Sequence, residues 1–137
     1  MPPSRPQPSQ PVTLAQASTL QTSGGQTEGM ERSNAITNLC DGICASRMIA
    51  EPHTSSAVHH HGEQDTVIFC ASGRGAITSE GGSKRTQLEP GDFCLIPAWM
   101  EHQEVNDGDE KLVLCVVRSG RTPAVVNLTG WGGEDVK

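Results

Sequence analysis

Residues 43–128 form a succession of short β-prone runs separated by turn-forming residues, and no other feature limits the fold of this chain as strongly. The runs are rich in the β-branched residues Val, Ile and Thr and are too short for stable helices, which is typical of strands. We predict strands over 43–49, 57–61, 66–71, 75–79, 85–88, 93–96, 102–105, 112–117 and 124–128. The pattern therefore predicts an all-β fold with no helix.

Turn chemistry separates these runs. The sequence Glu-Gly-Gly-Ser at 80–83 offers two glycines that accept positive φ and predicts a hairpin, and Asn-Asp-Gly-Asp at 106–109 predicts a second corner. At 89–92 a proline fixes φ ahead of a glycine, which predicts a third turn. The 15 glycines, 9 prolines and 3% aromatic residues favour a small aliphatic core. Without an internal repeat, we expect one six- to eleven-stranded antiparallel barrel over 29–130, followed by a C-terminal tail at 131–137.

Residues 1–28 are rich in Pro, Gln, Ser, Thr and Gly and contain few large apolar side chains. Such a segment buries too little surface to offset the entropy lost on ordering, so we expect a flexible arm. The alternative is that part of it, around 21–32, folds back as an edge strand or covers the mouth of the barrel.

The formal net charge of −6 argues against nucleic acid as a partner. Affinity for a phosphate backbone comes mainly from clustered Lys and Arg, and the ten basic residues here are scattered. No apolar run approaches the roughly 20 residues that cross a bilayer, and the N-terminus lacks the hydrophobic segment of a secretion signal. We therefore expect a cytoplasmic protein that binds neither nucleic acid nor membrane.

The five cysteines cannot all pair within one chain. Cys70, Cys94 and Cys115 lie in apolar, strand-like runs where a thiol acts as a small core residue, so we expect buried free thiols. Cys40 and Cys44 have a spacing that could serve zinc or a disulfide, but no second Cys or His pair accompanies them.

Histidines recur at a spacing that places them on one face of a strand. Because side chains alternate along a strand, His59 and His61 point the same way and His60 points the opposite way. His102 and Glu104 repeat this relation on a later strand. Two imidazoles about 7 Å apart on one face can converge on a cation, and a barrel would bring both pairs to its interior. These residues predict a metal site; the alternative is a set of purely structural histidines.

Together the two segments resemble cupins, a family of small β-barrels with two metal-binding motifs. In the first motif a His-any-His pair is followed after three or four residues by Glu and then by Gly. The second motif runs Gly, five residues, Pro, one residue, Gly, two residues, His, three residues, Asn. The matching residues are His59, His61 and Gly73 of the first motif and Gly91, Pro97, His102 and Asn106 of the second. The resemblance implies a jelly-roll barrel with a metal in its interior.

The chain departs from the family pattern at the carboxylate. Asp65 follows the His pair after three intervening residues, where Glu is usual, whereas counting back from the closing Gly reaches Thr66. In the pirin branch of the cupins a Glu two residues after the third His is the fourth ligand, and Glu104 has that spacing. The resemblance therefore implies Glu104 or Asp65 as the fourth ligand and as the acid/base group. Glu63, Gln64 or a water molecule are further candidates for the fourth ligand.

Trp99 replaces the inner Gly of the second motif. Glycine eases a tight turn there through positive φ, a conformation that a bulky residue adopts only at a cost. We expect Trp99 either to line the cavity mouth and stack on a flat substrate or to have a plain packing role.

Three imidazoles with at most one carboxylate suit Fe, Mn, Ni, Co, Cu or Zn better than Ca or Mg. Many cupins are iron dioxygenases, so the resemblance implies iron first and an enzyme acting on a small oxygenated substrate such as an enol, keto acid, phenol or diketone. The alternatives are a metal-dependent decarboxylase, isomerase or lyase, a non-catalytic barrel that binds a small ligand, or a metal-free epimerase-like or scaffold cupin. We also expect a homodimer, because exchange of an N-terminal strand would cover an exposed sheet edge.

Overall fold

The structure is a computed structural model that describes residues 4–22 and 27–136. In this part of the chain there are twelve strands and two single-turn 3-10 helices, at Ala17–Thr19 and Glu80–Gly82. The strands are β1 (Gln21–Thr22), β2 (Met30–Ile36), β3 (Ile43–Ala50), β4 (Thr54–Ser55), β5 (His59–His60), β6 (Thr66–Ser72), β7 (Gly75–Ser79), β8 (Lys84–Leu88), β9 (Phe93–Ile96), β10 (His102–Asn106), β11 (Leu112–Ser119) and β12 (Val126–Asn127). The predicted all-β fold is confirmed. No helix within the described ranges is long and apolar enough to cross a membrane.

The strands form two antiparallel sheets. The first has the order β1-β2-β3-β11-β6-β9, and the second has the order β12-β5-β10-β7-β8, with β4 also paired to β10. Neighbours such as β3 and β11 are far apart in sequence, so the chain passes back and forth between the sheets as it does in a jelly roll. The predicted hairpin at 80–83 joins β7 to β8. The jelly-roll architecture implied by the family resemblance is confirmed.

The hydrophobic core fills the space between the sheets. Burial alternates along β3 and β11, so every second side chain points inward. The core members come from both sheets and are mostly aliphatic: Met30, Met48, Ala50, Ile68, Cys70, Ile77, Leu88, Ile96, Leu112, Leu114 and Val116.

All five cysteines are free thiols. Cys44 and Cys70 are buried, Cys94 is half-buried and Cys115 is exposed. The expectation of a buried thiol is therefore wrong for Cys115, which occupies an outward position of β11. Burial raises the pKa of the Cys70 thiol and keeps it protonated at neutral pH.

Strand β2 was not among the strands predicted from the sequence. Four polar residues at 31–34 obscure its alternation, and only Met30 and Ser33 are buried. The pairing of β2 with β3 also shifts register between Asn34 and Ile36. Paired with β1, it forms the edge of the first sheet, so part of segment 21–32 lies along the barrel. This strand matters for the site because it carries Arg32.

Asn106, the last residue of the second motif, ties the corner between β10 and β11 to the end of β3. Its buried amide donates to the carbonyls of Ala50, Glu51 and Glu110 at 3.0, 3.2 and 2.8 Å. Its Oδ1 accepts a hydrogen bond from the Gly108 amide at 3.1 Å. The role of Asn106 is thus structural, since it supplies partners for backbone groups at the predicted turn.

Candidate metal centre

The predicted histidines come together inside the barrel. His59 belongs to β5, His61 follows that strand, and His102 begins β10 directly opposite His59 in the antiparallel register. Their ring centroids are 4.3 Å apart for His59 and His102, 4.8 Å for His61 and His102, and 5.3 Å for His59 and His61. All three side chains are buried, whereas His60 is only half-buried, as the alternation of side chains predicts.

Backbone carbonyls fix the orientation of two of these rings. His59 Nδ1 lies 2.7 Å from the Ala57 carbonyl oxygen, and His102 Nδ1 lies 2.9 Å from that of Met100. Because a carbonyl can only accept, the proton of each neutral ring is on Nδ1 and a lone pair is on Nε2. The Nε2 atoms of all three rings are buried and have no hydrogen-bond partner in the described part of the chain. Histidines that bind metals are commonly oriented in this way.

Glu104 is the carboxylate of the cluster and lies two residues after His102 on β10. Its Oε1 accepts from Arg32 Nη2 at 3.1 Å, and its Oε2 accepts from Ser56 Oγ at 2.9 Å. Burial alone would raise the pKa of this carboxyl, but His59 and Arg32 outweigh that effect and hold the pKa well below its ordinary value. Glu104 is therefore ionised at neutral pH.

His59 Nε2 and Glu104 Oε2 face each other at 3.2 Å, without hydrogen-bond geometry. If the ring is neutral, this contact brings a nitrogen lone pair against a carboxylate oxygen, and either a second proton on His59 or a metal ion between the two atoms removes the repulsion. One ligand atom from each of His59, His61, His102 and Glu104 lies within 4.8 Å of the others. Small side-chain shifts would bring these four ligand atoms to bonding distance from a shared transition-metal ion, which is about 2.0 to 2.2 Å. The donor set fits such an ion.

Burial makes two of the imidazoles difficult to protonate. The pKa of His61 is lowered to about 2, mainly by burial and next by the charge of Arg118. The pKa of His102 is lowered to about 4, again mainly by burial. Both rings are neutral at pH 7, which is the form in which imidazole binds a metal.

Asp65 lies outside the cluster, and Thr66 takes the inward position. The Asp65 side chain is exposed, and its Oδ1 accepts from the Ala98 amide at 2.9 Å. Thr66 is fully buried, and its hydroxyl lies 2.7 Å from His61 Nδ1. Because side chains alternate, only one of two adjacent residues faces the interior. The geometry therefore does not support Asp65 as a ligand or as an acid/base group, and Glu104 is the carboxylate within reach.

A cavity of about 220 Å³ lies beside the cluster, between strands β7 to β10. His102 forms part of its wall, and Ile77, Ile96 and Met100 make the neighbouring wall apolar. The amine-bearing Lys84 lines another part of it. This volume corresponds to about seven water molecules, so the cavity accommodates only a small ligand.

Trp99 adopts the positive φ that is costly for a bulky residue, with a value of 66°. Its amide donates to the Gly62 carbonyl at 2.8 Å. The side chain is 65% exposed, and its ring centroid lies 5.6 Å from that of the outward-facing His60. Trp99 does not line the cavity beside His102. Contact between Trp99 and a substrate stays a prediction.

Three polar residues around the cluster were not identified from the sequence: Arg32, Ser56 and Arg118. Arg32 and Ser56 both bind Glu104 and lie in segments without clear periodicity. Arg118 is buried on β11, opposite Thr66 in the register. An arginine at an inward position of an apolar, alternating strand is a signal that could have identified Arg118.

Comparison with known proteins assigns the family. A family model for the cupin domain matches residues 46–118, which is more than half of the chain and includes all four residues of the cluster. The chain belongs to the cupin family.

Several known proteins are similar to this chain. Gentisate 1,2 dioxygenase 1 from Aquipseudomonas alcaligenes is 31% identical over 78 residues, which cover 57% of this chain and 22% of that enzyme. The chain thus spans about a fifth of that relative. The polyketide cyclase RemF from Streptomyces resistomycificus superposes with a TM-score of 0.71 at 16% identity, covering 85% and 84% of the two chains. A predicted oxalate decarboxylase from Thermotoga maritima gives a TM-score of 0.67 at 19% identity, covering 79% and 99%. These two likenesses support the fold alone.

Proposed function

We propose that this cupin is a metal-dependent enzyme in which His59, His61, His102 and Glu104 bind one divalent transition metal. The observation that carries the proposal is the convergence of four buried ligand atoms, one from each residue and all within 4.8 Å of one another, with no hydrogen-bond partner for the three Nε2 atoms among the described residues. Iron is our first choice, and Mn, Ni, Zn, Co or Cu would suit the same donors.

We propose further that the substrate is a small oxygenated molecule such as an enol, keto acid, phenol or diketone, and that the reaction is of the dioxygenase type. The 31% identity to a gentisate dioxygenase over 78 residues supports this choice. The small cavity beside His102, about 220 Å³, supports a substrate of limited size.

The metal, when bound, would act as a Lewis acid toward substrate oxygens and, if redox-active, would support reaction with dioxygen. The residues of the chain prepare the site for it. The Ala57 and Met100 carbonyls keep Nε2 of two rings directed inward, and Thr66 orients the third ring. Ser56 and Arg32 hold the Glu104 carboxylate in place. Glu104 is the single buried carboxylate among the described residues, and we propose it also as the acid/base group.

An oxygen electrode tests the activity directly. Protein reconstituted anaerobically with Fe²⁺ is mixed with a panel of enols, keto acids, phenols and diketones in aerated buffer. We expect oxygen uptake with at least one class, abolished in His102→Gln and retained in His53→Gln, which changes an exposed histidine outside the cluster. Turnover without oxygen uptake would contradict the dioxygenase and favour a lyase or isomerase. Turnover that His102→Gln leaves intact would contradict the site.

Dimer formation and cytoplasmic location are further proposals. Light scattering coupled to size-exclusion chromatography tests the first, and a mass of one chain would contradict it.

A further inference from the structure

Arg118 is a buried cation without an acidic partner in the part of the chain that the structure describes. It is 2% exposed, and no carboxylate of the described residues lies within 4.0 Å of its guanidinium. Its Nη1 donates to the Ala124 carbonyl at 3.2 Å, whereas its buried Nε has no hydrogen-bond partner in residues 4–22 and 27–136. An uncompensated buried charge is costly, so such a group normally has a counter-ion.

The position of Arg118 places this charge beside the metal ligands. Arg118 and Thr66 are paired across β11 and β6, and both side chains are buried in the interior of the barrel. Thr66 in turn contacts His61 Nδ1 at 2.7 Å. The charge of Arg118 contributes to the lowered pKa of His61, which is consistent with this proximity.

The interior carries more positive than negative charge. Glu104, the single buried carboxylate of the described residues, is paired with Arg32 at 3.1 Å. Glu104 also attracts Arg118 from beyond 4.0 Å, so among the described residues the interior holds two guanidinium groups for one buried carboxylate. A divalent cation at the cluster would add two more positive charges in the same low-dielectric volume.

We propose that the metal centre binds an anionic ligand that carries a carboxylate, and that Arg118 is the residue that selects for its charge. This inference rests on the proposed function, since it concerns the same site. With Nη1 engaged by Ala124, the edge formed by Nε and Nη2 is the one that offers two parallel donors to a carboxylate. The substrate class is thereby narrowed to small acids with a second oxygen near the carboxylate, such as keto acids and hydroxy acids.

Calorimetric titration of Co²⁺-loaded protein with pyruvate and with pyruvamide tests the inference. The two probes have nearly the same size and the same adjacent oxygens but differ in charge. We expect wild-type protein to prefer pyruvate, and Arg118→Gln to weaken pyruvate binding by about 10- to 100-fold while changing pyruvamide binding little. Arg118→Lys keeps the charge but lacks the two parallel N–H donors of a guanidinium, so its affinity for pyruvate should be intermediate. Arg74→Gln, at an exposed arginine, is the matched control and should match wild type.

Pyruvate binding to Arg118→Gln with wild-type affinity would overturn the inference, as would equal affinity of wild type for the two probes. If Arg118→Gln does not fold, the wild-type preference and the Arg118→Lys comparison carry the test.

Metal content is measured first. A loaded site without preference for pyruvate refutes Arg118 selection alone, whereas failure to bind Co²⁺ refutes the proposed function. In that case the same titrations are run on metal-free protein, where Arg118 keeps its charge and absence of pyruvate binding refutes the inference.

Discussion

Replacing Glu104 with Gln probes the electrostatics of the centre with little change in shape. The substitution removes the negative charge that Arg32, Ser56 and His59 surround within 3.2 Å. The amide can still accept a hydrogen bond at one position, but it cannot neutralise a guanidinium. We therefore expect Glu104→Gln to destabilise the metal-free protein and to weaken metal binding.

The magnitude follows from burial. The side chains of Arg32 and Glu104 are 12% and 1% exposed, so water screens their interaction poorly. Removing one partner of a buried ion pair costs about 3 to 5 kcal/mol, because the attraction that offset the desolvation of the other partner is lost. If the lost pairing with Arg32 is the cause, Arg32→Met added to Glu104→Gln should recover part of the loss, since the double variant removes both charges of the pair.

Urea denaturation of the metal-free protein measures this free energy of unfolding. The control is Glu89→Gln, which removes the carboxylate of an exposed pair with Arg74 and should cost less than about 1 kcal/mol. A loss below about 1 kcal/mol in Glu104→Gln, or no recovery in the double variant, would refute the reasoning. Retention of wild-type affinity for Co²⁺ in Glu104→Gln would separately refute its role as a ligand.

Three other predictions concern acidity, the motif asparagine and backbone strain. The metal-free protein should lose stability as pH falls below about 6.5, by about 2 kcal/mol at pH 5 for each of His61 and His102. The reason is that the two imidazoles bind protons near pH 6.5 in the unfolded state, whereas their folded-state pKa values are about 2 and about 4. Urea titrations at pH 7 and pH 5 measure the loss of stability. An undiminished loss in a His102→Gln variant would contradict this prediction. Asn106→Asp should cost about 3 kcal/mol or more, because a buried carboxylate would face three carbonyl oxygens; a wild-type melting temperature would disprove this. Trp99→Gly should be about 1 kcal/mol more stable than Trp99→Ala, since both lose the ring and only glycine relieves the φ of 66°; equal denaturation midpoints would rule out strain there.

The strand pattern was sufficient to predict an all-β fold, whereas the jelly-roll barrel and the convergence of three rings in its interior relied on the two family motifs. Alternation along a strand is a local property, so the inward direction of His59 and His61 and the outward direction of His60 follow from the sequence alone. The position of His102 opposite His59 depends on pairing between distant strands. Here the spacing of the second motif supplied what local patterning could not.

Other features depend on register or long-range packing and were not predictable from local patterns. The first motif fits the sequence in two registers that differ by one residue. The prediction took Asp65 as the inward residue, whereas Thr66 faces the interior, because a shift of one residue reverses the face of a strand. Strand β2 is polar along most of its length, so its place beside β3, and with it the pairing of Arg32 with Glu104, is set by tertiary contacts. Cys115 lies in an apolar run but points outward.

Elemental mass spectrometry of tag-free protein, before and after reconstitution, tests the central claim most directly. We expect about one transition-metal ion per chain in wild type, loss of the ion in His61→Ala/His102→Ala, and retention in His53→Ala/His60→Ala, which removes two histidines from outside the cluster. Circular dichroism of each variant confirms that the barrel is intact. Absence of stoichiometric metal from wild type after reconstitution, or equal metal content in both double variants, would contradict a metal centre at these four residues.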